Sequence, residues 1–248
     1  MYHFSEQLLD RLIRAKHVAV LTGSGISAES GVATFRGEGG IWQKFKAEEL
    51  ANMDAFMRNP QLVWEWYEYR RKIISEVQPN PAHFALVEME KFYPHFAVST
   101  QNVDGLHSRA GSQSVYELHG NILRNRCNRC GKKMTDIQYE QERPLPTCEC
   151  GGMIRPDVVW FGEMLPEEAL EASFREASNA EVYFSIGTSA VVYPAAMLPV
   201  EAKRHGAYVI EINLEKTPLT HQVDESYQAK AGELLPELWA TVRQKKTT

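Results

Sequence analysis

The chain has no apolar run approaching the ~18–20 residues of a membrane span. It also lacks internal repeats, low-complexity linkers and any cysteine outside positions 127–150. It has no excess of positive charge: 27 Lys and Arg stand against 32 Asp and Glu, a formal net charge of −5 over 248 residues. That balance argues against nucleic acid as a direct electrostatic partner and leaves basic, lysine-bearing proteins open. The opening MYHFSEQLLDRLIRAKH sets Leu8, Leu9, Leu12 and Ile13 at helical spacing but interrupts them with Glu6, Asp10 and Arg11. No signal-peptide core is expected there. With 44% hydrophobic and 24% charged residues, the expectation is a soluble globular protein of a reducing, cytoplasmic setting, without a membrane partner.

What the sequence does have is a stretch around which the rest is organised. Val18-Ala19-Val20-Leu21 runs into Thr22-Gly23-Ser24-Gly25 and then into Ile26-Ser27-Ala28-Glu29-Ser30-Gly31. A strand that breaks at two glycines lets backbone approach a ligand, and the amides opening the next helix favour an anion. Gly23-x-Gly25-x-x-Ala28 fits the G-x-G-x-x-G/A dinucleotide pattern, although an ordinary strand–turn–helix corner reads the same way. A standard dinucleotide domain continues with a second strand ending in an acid about 20 residues on. Here positions 35–50, FRGEGGIWQKFKAEEL, hold no strand-like run, and the next is Phe96-Ala97-Val98-Ser99-Thr100. An insertion over the ligand is implied.

In order, Asn59-Pro60 opens a helix whose main apolar face is read as Leu62, Trp66, Tyr69, Ile73 and Val77, with Val63, Tyr67, Arg70 and Ile74 beside it. Asn80-Pro81 reads as an N-cap followed by proline at the first helical position. Strands are expected at 96–100, 115–118, 157–161, 182–186 and 208–212, and helices at 166–177, up to Gly206, and from Leu234 to Gln244. Strands separated by helices predict an α/β fold with a parallel sheet covered on both faces. The strands end in Thr22-Gly23-Ser24, Gln101-Asn102-Val103-Asp104, His119-Gly120, Gly187-Thr188-Ser189 and Asn213-Leu214-Glu215. Such clusters are expected to converge on the ligand-binding rim at the carboxyl ends of the strands.

The four cysteines form Cys127-x2-Cys130-x17-Cys148-x-Cys150 and sit beside Gly131 and Gly151-Gly152. Two disulfides would need an oxidising compartment, for which nothing speaks. One Zn2+ held by four thiolates is the reading, and a closed tetrahedron makes it structural.

Together the strings GSGISAESGVATFRG (23–37), TQNVDGLHSRAG (100–111), LHG (118–120), the cysteines, IRPDVVWFGEMLP (154–166), GTSAVVYPAA (187–196) and INLEKTP (212–218) resemble one family, the sirtuins. These are NAD-dependent protein lysine deacylases. Ser24 stands where the family usually has Ala, and Ala33 where Pro is common. The resemblance implies a Rossmann-like NAD-binding unit (1–38, 79–120 and 155–248), a helical insertion (39–78) carrying the acyl pocket, and a zinc-binding module (121–154). It implies NAD as co-substrate, nicotinamide and O-acyl-ADP-ribose as products, and acyl-lysine peptides as partners.

By the same resemblance His119 is the general base, with Asn102 and Asp104 positioning ribose and nicotinamide beside Gln101 and Val103. Gly23, Ser24, Gly25, Ala28, Glu29, Gly31, Thr34, Phe35, Arg36 and Trp42 fit the cofactor loop. Gly187, Thr188 and Ser189 meet phosphate or ribose, Asn213, Leu214 and Glu215 the adenosine ribose, and Ala231 the adenine. Val158, Val159, Phe161 and Gly162 would pair with substrate backbone as an added strand. Tyr67-x-x-Arg70 resembles the pair that marks class III sirtuins, active on succinyl- and malonyl-lysine, with Ala47 and Ala51 leaving room for the longer chain. Mono-ADP-ribosyl transfer is a second enzyme reading, and a non-catalytic NAD and zinc interaction module a third.

Overall fold

The computed structural model describes residues 2–32, 47–135, 137 and 144–247. Helix α1 (Glu6–Arg14) starts where the Leu8 amide donates to Ser5 Oγ at 3.0 Å, and it buries Leu8, Leu9 and Leu12. It leads into β1 (His17–Thr22) and the short α2 (Ser24–Ala28). Then come α3 (Ala47–Leu50), α4 (Met53–Arg58) and α5 (Pro60–Glu76), the last two capped by Asn52 and Asn59. Helix α6 (Pro81–Phe92) opens as the sequence predicts: Asn80 Oδ1 accepts from the Ala82 amide, and the Asn80 amide donates to His83 Nδ1. The remaining elements are β2 (His95–Thr100), α7 (Leu106–Ala110), β3 (Val115–Glu117), β4 (Gly120–Cys127), β5 (Lys133–Met134), β6 (Ile154–Val158), α8 (Glu167–Asn179), β7 (Val182–Ile186), α9 (Leu198–Arg204), β8 (Tyr208–Asn213), β9 (Glu225–Gln228) and α10 (Ala231–Thr247).

Six strands form one sheet in the order β3-β2-β1-β7-β8-β9, every neighbouring pair parallel. This is the strand order of the doubly wound dinucleotide fold, whose ligand crevice lies where the order reverses. Here that point is between β1 and β7. Alternate β1 residues serve opposite layers. Val18 and Val20 join Leu8, Leu86 and Leu234 from α1, α6 and α10. Ala19 and Leu21 join Ala177, Leu198 and Ala202 from the α8 and α9 side. The continuous apolar run that marks β1 in the sequence is what burial on both faces demands.

A second sheet, in the order β5-β4-β6, is antiparallel. Its core gathers Phe56, Trp64, Tyr67, Ile122 and Trp160 with Cys127 and Cys148. Helix α5 is tied to it by two side chains: Trp64 Nε1 donates to Ile154 O at 3.1 Å, and Arg71 donates from Nε to Ile122 O at 2.6 Å and from Nη2 to Asn125 Oδ1 at 2.7 Å.

Two sequence expectations need correction, and one strand was not expected. The strand expected at 157–161 lies at 154–158 and runs antiparallel to β4, so the parallel sheet resumes only at β7. Asp157, buried within β6, is tolerated because Arg124 Nε donates to it at 3.3 Å and Lys133 Nζ lies 3.9 Å away. On α5 the buried residues are Val63, Trp64, Trp66, Tyr67 and Ile74; of the face expected to be the main one only Trp66 is fully inside, because the small sheet covers the helix on the neighbouring side. Strand β9, with the polar sequence ESYQ, went unread; as an edge strand it buries only alternate side chains partway. No described helix is long and apolar enough to cross a membrane.

Candidate active site and zinc centre

A cavity of about 380 Å³ lies where the loops after β1, β2 and β7 meet the small sheet. The segment after β1 contributes Gly23 and Ser24, and that after β2 contributes Gln101, Asn102, Val103 and Asp104. His119, Val158, Val159, Phe161 and Gly162 line another side, Thr188 and Ser189 a third, and Ala51, Tyr67 and Arg70 the wall next to α5.

The two loop glycines have a reason the sequence reading did not supply. A Cβ on Gly23 would lie 2.7 Å from Gly187 O, and one on Gly25 2.6 Å from Gly187 Cα. Their amides are committed as well, Gly23 N–H to Ile186 O at 2.9 Å and Gly25 N–H to Gly187 O at 2.8 Å. These glycines therefore let the β1 and β7 turns touch, and their own N–H groups are not the anion cradle.

His119 Nδ1 is 3.0 Å from Gln101 O. A carbonyl can only accept, so Nδ1 carries the proton and Nε2 keeps its lone pair. Burial holds the His119 pKa below the ordinary imidazole value, opposed by that hydrogen bond. The outcome is a neutral imidazole of defined tautomer in the cavity wall. Asn102 Nδ2 donates to Gly23 O at 3.1 Å and to Ser27 Oγ at 3.0 Å, and its amide donates to Thr100 Oγ1 at 3.1 Å. Asp104 Oδ1 accepts from the Leu106 amide at 2.9 Å, and burial raises its pKa against contributions from Leu106, Ser27, Arg70 and Arg109. Gln101 Nε2 donates to Thr188 Oγ1 at 2.9 Å.

Other expected contacts lie outside this cavity. Asn213 reaches its wall by donating from Nδ2 to Thr188 O at 3.0 Å, whereas Leu214 and Glu215 are exposed at the end of β8. Glu29 Oε1 accepts from the Gly232 amide at 2.8 Å, beside buried Ala231, so it is engaged at the start of α10. Gly31 sits at φ +92°, just past Ala28, whose carbonyl accepts its amide at 3.0 Å. Thr34, Phe35, Arg36 and Trp42, and the side chain of Ala47, lie outside the described residues.

Along the expected peptide strand, Val159 N–H donates to His119 O at 2.9 Å, Phe161 N–H to Ala51 O at 2.9 Å, and Trp160 N–H to Glu163 Oε2 at 2.9 Å. The segment is thus held from both sides while Phe161 remains 49% exposed.

Sequence reasoning missed Ser27, which bridges Asn102 and Asp104, and Trp160, whose indole meets Tyr67. Neither is marked by type or spacing in the sequence; only their burial, seen in the structure, draws notice to the polar partners they make.

The four cysteine Sγ atoms lie within 4.8 Å of one another, and none is in a disulfide. Cys127 Sγ is 3.5 Å from Cys150 Sγ, and Cys130 Sγ is 3.8 Å from Cys148 Sγ. Tetrahedral zinc with Zn–S near 2.3 Å requires S···S of about 3.8 Å, so the donor set fits the metal. The amides of Cys130 and Arg129 donate to Cys127 Sγ and favour its thiolate. With all four positions taken by sulfur, zinc here holds the module together and reaches no substrate.

The sheet order, the crevice at its reversal and the four-thiolate centre define a doubly wound α/β protein with a structural zinc module. A model of the Sir2 family matches residues 23–194, and the chain belongs to that family. It is 52% identical over 234 residues to the NAD-dependent protein deacylase of Aquifex aeolicus (strain VF5), an alignment covering 92% of this chain and 96% of that one. A crystal structure of a Sir2 homolog–NAD complex matches with a TM-score of 0.93 at 46% identity, covering 98% of this chain and 96% of that one. A structure of Sir2 with p53 peptide and NAD+ matches with a TM-score of 0.85 at 33% identity over 96% of this chain and 98% of that one.

Proposed function

We propose that this chain is an NAD-dependent protein lysine deacylase that removes succinyl and malonyl groups as well as acetyl, giving nicotinamide and O-acyl-ADP-ribose. The deacylase part is supported by the 52%-identical relative and by the family. NAD, when bound, would supply a ribose carbon that becomes open to the acyl oxygen as the bond to nicotinamide breaks, with the acyl group ending as an ester on a ribose hydroxyl. His119 holds its proton on Nδ1 and takes one from a ribose hydroxyl at Nε2, a role suited to a neutral imidazole. Asn102 and Asp104 shape the ribose and nicotinamide end, and Thr188, Ser189, Asn213 and Glu215 serve the rest of the nucleotide. Thr34, Phe35, Arg36 and Trp42 belong to the same reading by resemblance alone. Substrate peptide enters as a strand along 158–162. Val159 O and Gly162 N–H have no partner among the described residues and are the main-chain groups it would meet. A reducing compartment such as the cytoplasm suits four free thiols.

One observation carries the acidic-acyl part. Arg70 lines the cavity with no carboxylate partner among the described residues, while its guanidinium carbon stands 4.8 Å from the Trp66 ring centre and 5.7 Å from that of Tyr67. Burial lowers its pKa, Tyr67 and Asp104 oppose that, and arginine remains charged at neutral pH. Asp104 is near enough to act on the Arg70 charge but makes no ion pair with it, so the guanidinium fork is left to pair with an anionic guest. The test is nicotinamide release measured with acetyl-, malonyl- and succinyl-lysine peptides. Release that depends on peptide and includes the acidic acyl groups supports the proposal. Release without peptide, or with acetyl peptide alone, rejects it in whole or in its acyl part.

A further inference from the structure

Trp160 Nε1 donates to Tyr67 Oη at 2.8 Å, with the two rings 6.4 Å apart and inclined by 28°. The indole nitrogen is a donor only, so the phenol oxygen must be the acceptor. A phenol also has one proton of its own. Tyr67 is fully buried, and its O–H has no acceptor among the described residues. That proton is left for a guest in the cavity that Tyr67 and Arg70 both line.

Trp160 is in no position to turn away. The Arg155 guanidinium carbon lies 3.9 Å from its ring centre, and the Phe56 ring packs at 5.2 Å. Arg155 is itself buried, donating to Val158 O at 3.0 Å and pairing with Glu163. Glu163 Oε2 in turn accepts the Trp160 amide at 2.9 Å and Arg126 Nη2 at 2.6 Å. The indole is thus clamped from its face and from its own backbone.

We propose that Trp160 is a positioning residue for acyl selection: by occupying the Tyr67 oxygen as donor, it turns the phenol proton towards the acyl carboxylate beside Arg70. The inference rests on the acidic-acyl reading above and adds a residue that does not touch the acyl group through its indole N–H. Without the indole N–H, the phenol could point its proton elsewhere, or its oxygen could face the carboxylate lone pairs. A neutral oxygen turned that way repels the acid and leaves acetyl without a comparable effect.

The test is Trp160→Phe, which keeps an aromatic ring between Arg155 and Phe56 and removes the donor. The KM for succinyl-lysine peptide divided by that for acetyl-lysine peptide should rise about 3–10-fold, a partial weakening of the phenol's hydrogen bond to the charged acyl carboxylate. In a Tyr67→Phe background the same change should add nothing to the ratio, because the group being oriented is gone. Arg70→Met, measured alongside, separates the two claims. If Arg70→Met raises the ratio and Trp160→Phe does not, Trp160 has no positioning role and the acidic-acyl reading stands. If Arg70→Met leaves the ratio unchanged, the acidic-acyl reading fails and this inference with it. Equal losses on both peptides in Trp160→Phe mean a packing role and overturn the proposal. Should that variant not fold, hydrogen exchange of the Trp160 indole proton decides: slower in the wild type than in Tyr67→Phe supports the bond, and equal rates overturn it.

Discussion

His119 Nδ1 donates to Gln101 O at 3.0 Å, so the strand-end loop that lines the cavity also sets which nitrogen of the proposed base is free. Replacing His119 by Ala should lower kcat on acyl-lysine peptide by about 10²–10⁴, the usual contribution of a general base. The melting profile and NAD binding by calorimetry should be retained. Because burial lowers the His119 pKa, the neutral form persists further into acid. Activity in the wild type should therefore rise with pH along a limb centred below the ordinary imidazole value of about 6.5. Near-normal turnover in folded His119→Ala would remove the assignment.

The zinc centre gives an independent expectation. Cys148 is buried, and its sulfur lies 3.8 Å from that of Cys130. Cys148→Ser should lose the metal, and since zinc binding and folding of such modules are coupled, the small sheet should loosen. Zinc content by atomic absorption and a lowered melting temperature are the readouts. One equivalent of retained zinc with an unchanged melting profile would count against a four-sulfur site.

The parts of this molecule with a strong period were legible in the sequence. Strand β1 shows as a continuous apolar run, and α6 announces itself through Asn80 and Pro81, because local preference and tertiary burial agree there. The cysteine spacing gave the zinc centre, since ligand geometry leaves few alternatives. What was not legible depended on partners distant in the chain. On α5 two apolar rows compete, and only the small sheet decides that Val63, Tyr67 and Ile74 go inside. Strand β9 borrows its structure from β8 and has no apolar face to reveal it. The close approach of Gly23 and Gly25 to Gly187 joins residues far apart in sequence, so spacing alone suggested a ligand where there is also backbone.

Two buried histidines predict how stability depends on pH. His83 and His107 have ring centres 4.9 Å apart, and His107 Nε2 is 2.9 Å from Thr22 Oγ1, next to the β1 turn. Burial lowers the His83 pKa to about 4, and burial followed by the neighbouring His83 lowers that of His107 to about 3. Both folded values lie below the unfolded one, so the unfolded chain binds more protons at intermediate pH. The stabilisation is present above about pH 6.5 and is lost as pH falls towards the folded values. At pH 5.5 each histidine should have cost up to about 1.4 kcal/mol relative to pH 7.5 or above. Urea unfolding at pH 7.5, 6.5 and 5.5 should show this slope, and His83→Asn should reduce it. A stability independent of pH across that window would mean the pair is not buried and neutral.

The last expectation concerns which acyl group is removed. Tyr67 and Arg70 are one helical turn apart on α5, both in the cavity wall, and the nearest faces of Arg70 are aromatic rings rather than carboxylates. A guanidinium packed on aromatic rings could be there for packing alone, as arginine stems often are. The distinction is that a packing role serves every substrate equally, whereas a charge role serves only acidic ones. A guanidinium fork holds a carboxylate by two parallel hydrogen bonds, and the Tyr67 phenol can add a third. Methionine keeps much of the bulk of the arginine stem and none of its charge. Arg70→Met should therefore raise KM for succinyl-lysine peptide by roughly 10–100-fold, corresponding to about 1.5–3 kcal/mol for a hydrogen bond to a charged group. The KM for acetyl-lysine peptide should change far less. Steady-state kinetics on the two peptides at equal NAD checks this, with the melting temperature confirming the fold. An equal loss on both peptides would show that Arg70 supports the wall of the cavity and does not read the acyl group.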